Sequence, residues 1–370
     1  MPVPSRLRYS TAPFNGATAH PLLSSQRRNP ASGSQPFPYT KMSPTVDPAI
    51  LRALALDPNS ASASITSHSG SGFCSTHKLL ITTPDGNNKR AYFVKTGTGP
   101  DAAAMFLGEH HSLNAIHSAI PSFCPRSYAN GTMSSNSNQH FLVTDFLNLR
   151  SSGGSAGSGS GESFAAKLAK MHTIPAPIPE GYDKAMFGFP VPTYCGATEQ
   201  DNTWKEDWAE FYAENRLRHV LKEGEKINGK SKELSDAVDK VASKVVPRLL
   251  GEQTIGKVTP VLIHGDLWSG NQGRGRFSEE GGVEEVIYDP AAVYGHSEYE
   301  LGIMEMFGGF GGGFWQEYGE LMPKQEPKKE WEDRIALYEL YHHLNHYALF
   351  GGGYRGGAMS IMKKLIAKYA

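Results

Sequence analysis

The chain has 370 residues, 39% of them hydrophobic and 20% charged, enough for one large domain or two lobes around a substantial core. A formal net charge of −1 removes the electrostatic case for a nucleic-acid or membrane partner. Three widely separated cysteines, Cys74, Cys124 and Cys195, make neither a disulfide framework nor a CxxC metal pair, which points to a reducing compartment. No apolar run approaches the roughly 18 residues of a membrane span, so a soluble, cytoplasmic protein is expected.

Residues 1–45 stand apart. They carry Arg6, Arg8, Arg27, Arg28 and Lys41 with no acidic residue, and are rich in Ser, Ala and Pro. That composition suits a transit peptide to a mitochondrion or another organelle, a disordered tail, or an extension ahead of a start at Met42. In each case the segment is excluded from the fold.

From Ala49 to Leu56 an Ala/Leu-rich stretch predicts a short helix, stopped by Asp57-Pro58. Ser64–His68 and Phe73–Thr83 predict strands on either side of Ser69-Gly70-Ser71-Gly72. Pro84–Asn88 has hairpin-turn chemistry and Arg90–Lys95 returns as a strand. Asp101–His117 has helical period, and Phe141–Leu147 predicts another buried strand. These elements form an N-terminal lobe over residues 46–148.

The C-terminal lobe is assigned to 149–370. It opens with a low-complexity Gly/Ser stretch at 151–161, expected as an exposed loop. Helical faces follow at Phe164, Leu168 and Met171, at Trp204, Trp208 and Phe211, and at Leu234, Val238, Val241 and Val245. A strand-rich interruption at 258–290 separates them from a helix bearing Trp331, Ile335, Tyr338 and Tyr341, and from a last one at Met359–Tyr369. A small β-rich lobe followed by a larger helical lobe is an α+β layout of the protein-kinase-like kind.

The chemistry concentrates at His264-Gly265-Asp266-Leu267-Trp268-Ser269-Gly270-Asn271, directly after the apolar strand Val261–Ile263. Phosphoryl transfer needs a carboxylate to orient and accept the proton of the attacking hydroxyl, together with oxygen ligands for Mg²⁺. Asp266 suits the first role. Asn271, five residues on, has the D-x-x-x-x-N spacing that suits the second, and Asp289 at the end of a strand supplies a further carboxylate. The bland alternative is a polar turn between strands.

Lys95 closes the apolar strand Tyr92–Lys95, the position from which a lysine meets ATP phosphates. Glu109 lies on the apolar stripe of its helix with Met105/Phe106, Leu113 and Ile116. A buried carboxylate needs a partner, and Lys95 is the expected one. Gly70 and Gly72 could bring backbone N–H groups to the phosphates. Cys74 just beyond is expected to be buried and inert. His342 and His346 are spaced i, i+4, but with no third ligand or neighbouring Glu they are assigned to structure.

Several strings then resemble the fructosamine/ketosamine-3-kinase family: Met105–Glu109, Phe187–Thr193, Gln200–Trp204, HGDLWSGN at 264–271 and Asp289–Leu301. They run in order from about residue 46 to the C-terminus. The resemblance implies an aminoglycoside-phosphotransferase-like, protein-kinase-like fold. It also implies transfer of the ATP γ-phosphate to the 3-hydroxyl of a ketosamine, on glycated proteins or small molecules. The phosphorylated adduct breaks down and frees the amine, so the implied role is deglycation. Asp266 becomes the expected base, Asn271 and Asp289 the Mg²⁺ ligands, and Lys95 with Glu109 the phosphate-positioning pair. Trp268 becomes a platform for the sugar, with His296 and Glu298 in the same cleft. Asp201–Trp204 is expected as a helix start capped by Asn202 or Thr203. Other readings are an aminoglycoside- or choline-type kinase of the same fold and a non-catalytic pseudokinase-like module.

Overall fold

A computed structural model of the chain describes residues 46–59, 62–68, 74–82, 89–149, 161–278 and 281–370. Residues 1–45, Gly70, Gly72, the turn at 84–88 and most of the Gly/Ser stretch lie outside them. Helix α1 (Pro48–Ala53) starts on Asp47, whose carboxylate accepts the Ala49 N–H at 2.8 Å, with Pro48 in the first turn where its missing N–H costs nothing. It ends before Leu56, where Ala55 turns to φ +58°.

Strands β1 (Ser62–His68), β2 (Ser75–Thr82) and β3 (Lys89–Thr98) lead into helix α2 (Gly99–Ala119). Strands β4 (Ser127–Thr132) and β5 (Gln139–Asp145) complete an antiparallel sheet in the order β1-β2-β3-β5-β4. Alternation along β3 divides its side chains between two faces. Tyr92 and Val94 pack with Leu79, Ile81, Phe141 and Val143 against Ile50 and Leu51 of α1. Lys95 points the other way, towards Glu109 of α2.

The helical lobe follows in order. Strand β6 (Asn148–Leu149), helix α3 (Phe164–Thr173) and the hairpin β7 (Thr193–Cys195) and β8 (Thr198–Gln200) precede α4 (Trp208–Phe211). α4 runs through a π-helical stretch, Tyr212–Arg218, into α5 (His219–Asn228). Helices α6 (Lys232–Lys240), α7 (Val246–Leu250) and α8 (Glu252–Ile255) come next. The strands β9 (Val261–Ile263), β10 (Gln272–Arg276), β11 (Glu284–Ile287) and β12 (Val293–Gly295) carry the polar loops. The chain ends in α9 (Glu298–Phe307), α10 (Gly312–Leu321), α11 (Trp331–Phe350) and α12 (Gly353–Tyr369). Trp208, Tyr212, Tyr299 and Tyr338 are buried together at the centre of this lobe's core.

The expected cap at Asn202 or Thr203 is not the start of that helix. Asp207 caps α4, accepting the Glu210 N–H at 2.7 Å, so Trp204 precedes the helix instead of sharing its face. Buried Asn202 instead spans two elements. Its amide donates to Val191 O and Thr193 Oγ1, while its carbonyl accepts from Arg216 at 2.8 Å.

One helix joins the lobes. At Gly108 of α2 an added Cβ would sit 2.7 Å from Pro192 O, so the backbones approach closely only because no side chain intervenes. One turn on, Ser112 Oγ donates to Gly108 O and accepts the Ala292 N–H at 3.1 Å. At an open helical site Gly→Ala adds about 1 kcal/mol of stability. Gly108→Ala is expected to lose about 1–3 kcal/mol through overpacking, seen as a lower thermal unfolding midpoint. A raised midpoint would contradict this docking.

Candidate active site

Gly265 adopts φ +81°, and a Cβ there would lie 2.2 Å from Ala291 O, so the turn after β9 requires glycine. The turn is held from behind. Glu300, buried in the first turn of α9, accepts the backbone N–H groups of His264 and of Gly265 (3.0 Å). His264 Nδ1 accepts the Asp266 N–H at 3.2 Å and Nε2 donates to Tyr288 O at 2.9 Å. An N–H can only donate and a carbonyl only accept, so these partners specify the neutral imidazole. Burial also pushes its pKa down. His264 thereby ties the Asp266 loop to the strand leading into Asp289.

The Asp266 carboxylate is gripped from both sides. Oδ1 is 3.5 Å from Cys195 Sγ and Oδ2 is 3.4 Å from Asn271 Nδ2, whose other bond goes to Asp266 O at 2.8 Å. Burial, chiefly, pushes its pKa up to about 8, with the Asp289 and Glu300 charges adding to the rise. A carboxylate in that state is a better proton acceptor than a solvated one.

Lys95 Nζ donates to Glu109 Oε1 and Oε2 at 2.8 and 2.9 Å and to Asp289 Oδ1 at 2.8 Å. Burial disfavours its charge, but Asp289 and Glu109 outweigh that and raise its pKa. Burial likewise raises Glu109. Asp289 reaches the ammonium from the left-handed region, at φ +56°, an uncommon conformation for a residue with a side chain.

These groups line one cleft of about 300 Å³ that brings together Lys95, Glu109, Asp266, Trp268, Asn271 and Asp289, with Cys74, Tyr194 and Gly196 on its walls. Trp268 is 40% exposed, rests against Phe307 and lies over Gly270, where a Cβ would meet its ring at 2.1 Å. Cys74 is only partly buried and faces the cleft, contrary to the expected core position. The donor set fits Mg²⁺. With Asn271 Nδ2 turned to Asp266, its amide oxygen remains a hard oxygen donor in the cleft that Asp289 also lines.

His296 and Glu298 are not in this cleft. His296 is buried, bonds Tyr338 Oη at 2.8 Å, and burial lowers its pKa to about 4. Glu298 makes a two-point ion pair with fully buried Arg334 and accepts the Gln325 N–H. Their place next to the Asp289 string masked this, since a helix N-terminus begins between the two regions. Sequence reasoning also passed over Glu300 and the Cys195 hairpin; Glu300 reads only as an acid in the first turn of a helix. Glu298→Gln leaves Arg334 without its countercharge and is expected to cost about 3–5 kcal/mol. The protein that stays folded should keep its KM values. A selective rise in acceptor KM without loss of stability would put Glu298 back in the cleft.

With this geometry established, comparison with known proteins gives a single picture. The chain is 38% identical over 272 residues to the chloroplastic protein-ribulosamine 3-kinase of Oryza sativa subsp. japonica, covering 74% of this chain and 71% of that one. It is 33% identical over 322 residues to the ketosamine-3-kinase of Mus musculus, covering 82% and 96%. Among solved structures, one named for fructosamine-3-kinase from Thermobifida fusca superposes with a TM-score of 0.63 at 23% identity, covering 87% of this chain and 99% of that one. Its counterpart from Haemophilus somnus also gives 0.63, at 21% identity, covering 85% and 95%. These two share the protein-kinase-like, two-lobed fold. The sequence profile of the fructosamine kinase family matches residues 53–368, and the chain belongs to that family.

Proposed function

We propose that the chain is an ATP-dependent ketosamine 3-kinase acting on Amadori adducts of lysine, with Asp266 as base and Lys95, Glu109, Asn271 and Asp289 serving the nucleotide. The observation that carries this reading is one cleft in which a charged lysine, held by two carboxylates, faces an Asp–Asn pair at D-x-x-x-x-N spacing. Membership of the fructosamine kinase family supports a phosphotransferase, and the relatives' names support a ketosamine acceptor.

The acceptor's 3-hydroxyl oxygen attacks the γ-phosphorus, the bond to the β–γ bridging oxygen breaks, and ADP leaves. Asp266, steadied by Cys195 and Asn271, orients that hydroxyl and takes its proton. Lys95 is kept charged and aimed by Glu109 for contact with the α/β-phosphates. Gly70 and Gly72 are assigned to the same phosphates by their place in the first hairpin. Asn271 and Asp289 would hold Mg²⁺, which supplies neutralisation of the phosphate charge when bound. Trp268 offers an aromatic face to the C–H surface of the sugar. Breakdown of the 3-phosphorylated adduct then frees the amine, which makes the role deglycation.

Rice relatives carry chloroplastic names, and residues 1–45 are basic without acids, which supports delivery to an organelle. Among the described residues no helix is long and apolar enough to cross a membrane.

Asp266→Asn is expected to lower kcat with ribulose-lysine by about 10²–10⁴-fold, the range for loss of a general base. ATP affinity should persist, since Asp266 does not touch Lys95. ADP release and nucleotide titration measure the two. Turnover within a factor of two of wild type would remove Asp266 from the chemistry.

A further inference from the structure

The hairpin β7–β8 turns its two faces to different tasks. Its inner face is anchored: Thr193 Oγ1 donates to Gln200 Oε1, Gln200 Nε2 donates to Tyr341 Oη at 2.7 Å, and Asn345 Nδ2 donates to Cys195 O. Its outer face carries Tyr194 and Glu199 directly opposite each other, where the Tyr194 hydroxyl donates to Glu199 Oε2 at 2.8 Å. Tyr194 lines the cleft that holds Asp266 and Trp268, and its neighbour Cys195 is the residue whose thiol touches Asp266. The Tyr194 ring and the Asp266 carboxylate thus line the same cleft, and Glu199 is held at the ring's hydroxyl end.

Glu199 is exposed, and among the described residues no lysine, arginine or histidine forms an ion pair with it. The Asp101 carboxylate, from the first turn of α2, adds negative field at the Tyr194 hydroxyl. The aromatic ring on this wall of the cleft therefore carries, at its hydroxyl end, an oriented carboxylate with no ion-pair partner among the described residues. Both features attract a cation.

We infer that the Tyr194–Glu199 pair is a specificity element that recognises the cationic amine of the acceptor, selecting amine adducts of ketoses over ketoses that lack nitrogen. The inference rests on the ketosamine reading above. In such an adduct the nitrogen is a secondary amine, protonated at neutral pH, two carbons from the carbon that bears the reacting hydroxyl. With that hydroxyl at Asp266, the ammonium is left to the neighbouring hairpin, and Glu199 is the carboxylate there. Tyr194 fixes the carboxylate's orientation, so less freedom is lost when the ammonium arrives.

The test compares kcat/KM for ribulose-lysine with kcat/KM for D-ribulose in wild type, Glu199→Gln, Glu199→Lys and Tyr194→Phe. The ratio is expected to fall about three- to fivefold in Glu199→Gln, the scale of one exposed charge pair, through KM for ribulose-lysine and not through kcat. Glu199→Lys should lower it further, and Tyr194→Phe by less than Glu199→Gln. Glu199 is exposed, so matching unfolding midpoints verify that the variants fold alike. An unchanged ratio in both Glu199 variants of an enzyme that phosphorylates ribulose-lysine overturns this inference alone. A wild type inactive on every ketosamine overturns the acceptor reading and this inference with it.

Discussion

The ammonium of buried Lys95, held between Glu109 and Asp289, makes the interaction on which the molecule's organisation turns. Its three members come from a central strand, a helix 14 residues on, and a loop 194 residues away. A buried charge is tolerated only when paired, and removing one partner of such a set typically costs about 3–5 kcal/mol. The sheet, the connecting helix and the catalytic strand are thus constrained by one point charge. In the proposed reading that charge meets the nucleotide phosphates.

Rigidity around this centre has identifiable sources. Glu300 clamps two backbone N–H groups of the His264 turn, and neutral His264 couples that turn to the Asp289 strand. Gly108 lets α2 touch the backbone before the β7–β8 hairpin, while Ser112 bonds it to the chain just after Asp289. The same hairpin steadies Asp266 through Cys195. Asp266, Lys95 and the β7–β8 hairpin are therefore cross-braced, which in the proposed reading suits a reaction whose catalysis is mainly positioning and electrostatics.

Much of this was legible in the sequence because it rests on local pattern or on charge pairing. A carboxylate on an apolar helical stripe demanded a cation, and Lys95 is its partner at 2.8 Å. The HGD turn and the D-x-x-x-x-N spacing are contiguous. What escaped depends on tertiary context. Strand β4, Ser-Tyr-Ala-Asn-Gly-Thr, lies at a sheet edge with a bulge, so it lacks the alternation of a half-buried strand. Asn202 has the chemistry of a cap, but a buried arginine claims it. His296 and Glu298 follow the Asp289 string in sequence and leave it in space, because the turn into α9 carries them into the core.

The central claim is that this cleft delivers a phosphoryl group to the 3-hydroxyl oxygen of a ketosamine. The most direct measurement is incubation of the full chain with ATP, Mg²⁺ and ribulose-lysine, followed by mass spectrometry and ³¹P–¹H correlation of the product. The account predicts one added phosphate coupled to the proton on C3, and free lysine accumulating as that product decays. ADP release with no phosphorylated adduct, or phosphate on a different carbon, would contradict it.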